Sequence, residues 1–133
     1  MKKQTINTEI SATLDAISQS IYDKKGFNIL ALDVRDISTL ADYVIIAEGN
    51  IDRHLKALCM TIKETSQKLG QMPLYVEGEQ SGEWIVIDYG EVVVHLFIPE
   101  LREKYALEEL WHEADIIDVK INTERKEKLS KEQ

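Results

Sequence analysis

The chain has 133 residues, of which 44% are hydrophobic and 30% charged. That is enough for one domain with a real core, too few for two, and too apolar for a disordered chain. With 24 acidic against 16 basic residues the formal charge is −8, which disfavours broad attraction to nucleic acid and favours a basic protein surface as partner. No apolar run approaches the roughly 20 residues needed to cross a bilayer, and Met1-Lys2-Lys3 leads into polar sequence instead of a signal-peptide core. The lone Cys59 has no mate for an internal disulfide, so a cytoplasmic protein is expected.

Ile6, Ile10, Leu14, Ile17 and Ile21 recur at three- and four-residue steps, which predicts an amphipathic helix ending at Gly26. Phe27 to Val34 and Tyr43 to Ala47 read as strands, the second largely buried. After Gly49-Asn50, with Asn50 as the expected cap, Ile51, Leu55, Leu58, Ile62 and Leu69 keep helical spacing up to Gly70. Leu74 to Val76 starts a third strand, and Glu83 to Ile98 holds two more around Asp88-Tyr89-Gly90-Glu91. Pro99 suits the first position of a helix with a break near Ala106. The expectation is a single α/β (α+β) domain over residues 1–120, a mixed five-stranded sheet with flanking helices, and a charged tail over 121–133. The apolar Ile116, Ile117, Val119 and Ile121 leave room for one more docked segment.

The final hairpin is the most informative stretch. A turn centred on Tyr89-Gly90 sets Asp88 opposite Glu91, Val86 opposite Val93 and Trp84 opposite His95. One face then carries Ile85, Ile87, Val92, Val94 and Leu96, which must be core. The other carries Trp84, Val86, Asp88, Glu91, Val93, His95 and Phe97, a mixture of aromatic, aliphatic and acidic groups typical of a binding surface. A helix covering this face would make Trp84 an ordinary core residue. Tyr89, at the turn tip, is expected to be exposed.

Chemistry is harder to find. His54, His95 and His112 have no short spacing, so neither a zinc site nor any other metal or cofactor is expected. Cys59 sits on an apolar helix stripe, where a thiol is inert. Gly49-Asn50 lacks the further glycines or the Lys-Ser/Thr of phosphate-binding loops. No carboxylate pair projects from adjoining strand ends as two-metal chemistry requires. Arg53, Lys56, Lys63 and Lys68 share their helix with Glu64 and read as a solvated face.

Several strings nevertheless carry a likeness: Asp33-Val34-Arg35 with Ser38; Ala41 through Ala47 leading to Gly49-Asn50 and Asp52-Arg53; Val76-Glu77-Gly78; Gly82-Glu83-Trp84; Asp88-Tyr89-Gly90-Glu91-Val92-Val93-Val94-His95; and Arg102-Glu103 to Tyr105 with Leu107 and Leu110-Trp111. Together they resemble the ribosomal silencing factors (RsfS), the bacterial and organellar iojap-related family. Glu48, Ile51, Glu91 and Ala106 depart from the family pattern. The resemblance implies a nucleotidyltransferase-like fold without catalytic carboxylates, and no enzymatic step. It implies binding to large-subunit ribosomal protein fourteen, so that joining of the small and large subunits is blocked sterically and translation is repressed when nutrients are short. From the face geometry, Trp84, Tyr89, Val93 and His95 are expected to make the contact, with Asp88, Glu91 and Glu77 pairing with partner cations. Two other classes stay open: a degenerate nucleotidyltransferase-like nucleotide binder, and a homodimeric assembly scaffold using the same face.

Overall fold

The computed structural model describes residues 5–124. Helix α1 (Thr8–Asp23) is capped by Asn7, whose Oδ1 accepts the Ile10 N–H at 2.8 Å, satisfying one of the unpaired donors of the first turn. At its far end the left-handed position is Lys25 (φ 69°) and not Gly26. Gly26 is needed for close approach, since a Cβ there would lie 2.4 Å from Ile21 Cγ2.

Strand β1 (Phe27–Asp33) is bulged between Phe27 and Leu30, and β2 (Tyr43–Glu48) is buried along its whole length. Helix α2 (Asp52–Lys68) is capped at Ile51 without a side-chain bond. Asn50, the expected cap, instead gives its backbone N–H to His54 Nδ1 at 3.0 Å. Strands β3 (Tyr75–Glu77), β4 (Trp84–Asp88) and β5 (Val92–Phe97) follow, then helices α3 (Pro99–Tyr105) and α4 (Leu107–Leu110) and strand β6 (Asp115–Ile117). The break between α3 and α4 falls at Ala106, in the left-handed region at φ 44°.

The sheet is mixed, as expected, but has six strands rather than five, in the order β3-β4-β5-β2-β1-β6. The sixth is the apolar patch around Ile116, paired antiparallel with β1. Beyond it the chain stays docked on α1: Lys120 N–H donates to Asp15 Oδ1 at 2.9 Å, and Asn122 N–H to Gln19 Oε1 at 2.6 Å. This docking reaches into the segment 121–133 expected as a charged tail, of which the part after residue 124 lies outside the described residues. Among the described strands β2 and β5 run parallel and the other neighbours antiparallel.

One face of the sheet is covered by α1 and α2. Leu14, Ile17 and Ile21 from α1 and Leu55, Leu58 and Ile62 from α2 form one buried cluster with Ile45, Ile85, Ile87, Val94 and Leu96. Burial of each such side chain is worth about 1.5–3 kcal/mol, so the alternation of β4 and β5 is fixed by this contact. No helix among the described residues is long and apolar enough to cross a membrane.

Candidate docking face

Because residues opposite one another in a sheet share a face, the side away from α1 and α2 is read as rows running across the strands. One row is Tyr75, Asp88, Val93, Val44 and Leu32; the next is Glu77, Val86, His95, Ile46 and Leu30; a third pairs Trp84 with Phe97. Four of the seven expected contact residues, Trp84, Asp88, Val93 and His95, therefore stand together, with Glu77 at the edge.

The register differs from the expected one by two residues. Trp84 lies opposite Phe97, Val86 opposite His95 and Asp88 opposite Val93. The turn is centred on Gly90-Glu91, with Tyr89 N–H donating to Val92 O at 2.9 Å and Gly90 at φ 91°. Glycine adopts that angle freely, so it takes the first central position of a two-residue hairpin loop. Asp88 Oδ1 accepts the Gly90 N–H at 2.7 Å and fixes the turn.

Two expected contacts are displaced from this face. Tyr89 is not exposed at the tip: it is half-buried against the helix-side core, and its hydroxyl hydrogen-bonds Ser66 Oγ at 2.8 Å. Burial pushes the phenol's pKa up. Glu91 is exposed at the turn tip beside Asn7 and Gln71, in a depression shared with Tyr89 and Val92. Its backbone oxygen accepts from both Asp42 and Tyr43, which ties the turn to β2.

Helices α3 and α4 cover this second face only in part. Leu101, Leu107 and Trp111 pack on Leu32, Val34, Val44, Ile46 and Phe97, so the β1–β2 half is sealed. Towards β3 the cover stops, and Tyr75 is 53% exposed while Val86, Asp88, Val93 and His95 are partly open. The lid is held by Arg102, which pairs with Glu48 Oε2 at 3.0 Å and with Glu108 Oε1 at 3.3 Å and also donates to the Asn28 carbonyl. Glu48, one of the departures from the family pattern, thus anchors the lid to β2.

At the lid's margin the aromatic rings form a continuous group. Trp84 stacks on Phe97 with centroids 4.9 Å apart and meets Tyr105 at 4.7 Å, while His95 lies 6.1 Å from Trp111. Trp84 Nε1–H donates to His95 Nδ1 at 3.1 Å. Burial pushes the His95 pKa down to about 4, against a weaker opposing pull from Asp88. The ring is therefore neutral at pH 7, and with Nδ1 accepting it carries its proton on Nε2.

Between this margin and β3 runs a cleft of about 390 Å³. It is lined by Val44, Val93, His95, Asp88 and Tyr75 of the sheet, by Leu107, Leu110 and Trp111 of the lid, and by Ser38, Leu40 and Ala41 before β2. Leu40 and Leu110 stand 88% and 69% exposed at the rim, an apolar arrangement unusual for surface left to water. Tyr75 is the cross-strand partner of Asp88, and the interaction with that carboxylate raises the phenol's pKa. Tyr75, Leu40, Leu107, Leu110 and Trp111 were not singled out from the sequence as site residues. The i, i+3, i+4 spacing of Leu107, Leu110 and Trp111 in an acidic stretch was the available signal.

Among the described residues no group of three or more His, Cys, Asp or Glu is placed to hold a metal ion. Cys59 is fully buried, and burial pushes its thiol up to about 11.

A small acidic α+β domain with one open, aromatic sheet face is the class of protein these features define. A sequence profile described as "Ribosomal silencing factor during starvation" matches residues 7–133. A Bacillus subtilis protein named ribosomal silencing factor RsfS is 39% identical over 97 residues, covering 73% of this chain and 82% of its own. A mouse protein named mitochondrial assembly of ribosomal large subunit protein 1 is 29% identical over 101 residues, 74% of this chain and 44% of its own. A crystal structure of a Chromobacterium violaceum protein superposes with a TM-score of 0.75 at 30% identity, over 85% of this chain and 93% of that one. The chain belongs to the ribosomal silencing factor family.

Proposed function

We propose that this protein binds the large ribosomal subunit in the cytoplasm through ribosomal protein fourteen, and that by occupying that surface it keeps the small subunit from joining and so represses translation. The observation that carries the reading is the half-open sheet face: Trp84, Val93 and His95 supply apolar area, and Asp88 and Glu77 supply negative charge beside it. An interface needs a desolvated aromatic centre with a polar rim, and this face has both.

Charge supports the same partner. At a net −8 the protein is attracted to a basic ribosomal protein, which speeds encounter and sets orientation, whereas it is repelled by exposed RNA phosphates. The mechanism is occlusion and requires no chemical step. Tyr89 and Glu91 are left out of the contact: Tyr89 faces α2, and Glu91 lies around the turn.

The test is co-sedimentation with separated subunits. The protein should migrate with large subunits alone, and adding it to both subunits should lower the fraction that joins. Migration with small subunits, or joining that proceeds unchanged, sinks the proposal.

A further inference from the structure

We infer that the cleft between α4 and the β4–β5 face is a socket for a single arginine side chain of the docked partner, with Asp88 receiving the guanidinium. The inference rests on the docking reading and adds the residue type that the face selects.

The lining is graded in a way that suits such a side chain. Along one cross-strand row it runs from the aliphatic Val44 and Val93 to Asp88, the one carboxylate of the lining, and Tyr75; the exposed Leu40 and Leu110 line it too, with Ser38 and His95 as its neutral polar groups. An arginine stem buries well along such a row while its charged head needs a fixed acceptor. Among the described residues that line the cleft there is no lysine or arginine, and no ion pair engages Asp88 among them. The carboxylate is nonetheless held in place by the Gly90 N–H at 2.7 Å, with Tyr75 opposite it across the β3–β4 ladder. It is a preorganised, uncompensated negative charge at the end of an apolar channel.

Arginine fits better than lysine for two reasons. A guanidinium is planar and weakly hydrated, so it leaves water more cheaply than an ammonium and pairs with a carboxylate through two parallel bonds. The cleft also presents aromatic surfaces, Tyr75 beside the carboxylate and Trp111 of the lid, on which a planar cation stacks. At about 390 Å³ the cleft is near the lower end of ligand pockets, which run to about 1,000 Å³, a size for one side chain rather than a nucleotide.

The experiment is a double-mutant cycle between this protein and isolated large-subunit ribosomal protein fourteen. Asp88→Asn keeps an oxygen for the Gly90 N–H and removes only the charge. It should weaken binding by roughly 10- to 100-fold, while Glu64→Gln, exposed on α2 on the opposite side of the sheet, should change it by less than about threefold. Each exposed arginine of the partner is then changed to lysine. One of these substitutions should weaken binding to the unmodified protein and have no further effect on Asp88→Asn. Equal small losses from Asp88→Asn and Glu64→Gln would mean diffuse attraction and overturn the socket. Coupling of Asp88 to a partner lysine, or to none of its cations, would overturn it too. If the unmodified protein does not bind at all, it is the docking reading that has failed.

Discussion

The Trp84 indole and the His95 imidazole are joined diagonally across the β4–β5 ladder. Trp84 sits opposite Phe97 and His95 opposite Val86, yet Trp84 Nε1–H reaches His95 Nδ1 at 3.1 Å. The bond consumes the nitrogen that a second proton would need, and burial adds to the same bias. The ring is thus fixed neutral at the centre of the face.

This makes stability pH-dependent with a defined sign. The folded-state pKa is about 4 against 6.5 for an unperturbed histidine, so between these values the unfolded chain binds a proton the folded one does not. The stabilisation is complete above about pH 6.5 and is lost as pH falls towards 4, by at most about 3 kcal/mol and less in proportion to the ring's residual exposure. His95→Asn, which keeps an acceptor for the indole but cannot titrate, should flatten urea-derived stability across this window. An unchanged pH profile would show that His95 does not carry the effect.

Trp84→Ala removes both an anchor of the docking face and part of the ring cluster with Phe97 and Tyr105. The ring is only partly buried, so the loss of stability should be about 2 kcal/mol, below the 3–5 kcal/mol of a fully buried tryptophan. Binding to large subunits should fall by more than about tenfold. Trp84→Phe keeps most of the ring area and drops only the indole bond, so it should lose less of both. A folded Trp84→Ala protein that binds like the unmodified one would remove Trp84 from the interface.

The face was legible in the sequence because strand alternation has a period of two. An error of two residues in the register moves each cross-strand partner without turning any side chain over, so Trp84, Val86, Asp88, Val93, His95 and Phe97 were placed together despite the misplaced turn. Tyr89 fell outside that rule. Past the end of β4 the direction of a side chain depends on which residue takes the positive φ, and that residue is Gly90. The pairing of Tyr75 with Asp88 joins segments separated by the Gly78–Gly82 loop, and no local pattern encodes it. The lid was hidden for a different reason: α4 has four residues, too short for periodicity to identify, and its position depends on Arg102 reaching Glu48 across 54 residues. Whether the face is open or covered was therefore undecidable from β4 and β5 alone, and the structure has it covered at the β2 end and open at β3.

Ala106 marks a place where the lid can be tightened. It ends α3 and begins α4 at φ 44°, ψ 51°, with its N–H bonded to Arg102 O at 2.8 Å. An L-residue with a Cβ is disfavoured there by about 1–2 kcal/mol, while glycine is not, although it gains freedom in the unfolded chain. Ala106→Gly should therefore raise stability by about 0.5–1 kcal/mol, a melting-point increase of roughly 3 °C. A lower melting temperature would mean that the methyl contact outweighs the backbone.

The lid's attachment gives the sharpest energetic test. The Arg102 and Glu48 side chains are only 12% and 9% exposed, so each has lost most of its water and depends on the other. Asn28 Nδ2 donates to the same Glu48 oxygen at 2.9 Å, but it is neutral and cannot replace a cation. Arg102→Met keeps the aliphatic bulk and strands the carboxylate, which should cost about 3 kcal/mol or more. Adding Glu48→Gln removes the stranded charge while keeping an oxygen for Asn28, so the double variant should recover about 1–3 kcal/mol relative to Arg102→Met alone. The comparison is made by urea unfolding, with amide exchange over residues 101–111 reporting whether the lid opens before the sheet. Faster exchange in Arg102→Met, confined to that segment and reversed in the double variant, would locate the pair's action in the lid. If the double variant is no more stable than Arg102→Met, the buried carboxylate is not the source of the loss, and the lost Arg102 hydrogen bond to the Asn28 carbonyl or its pairing with Glu108 becomes the better account.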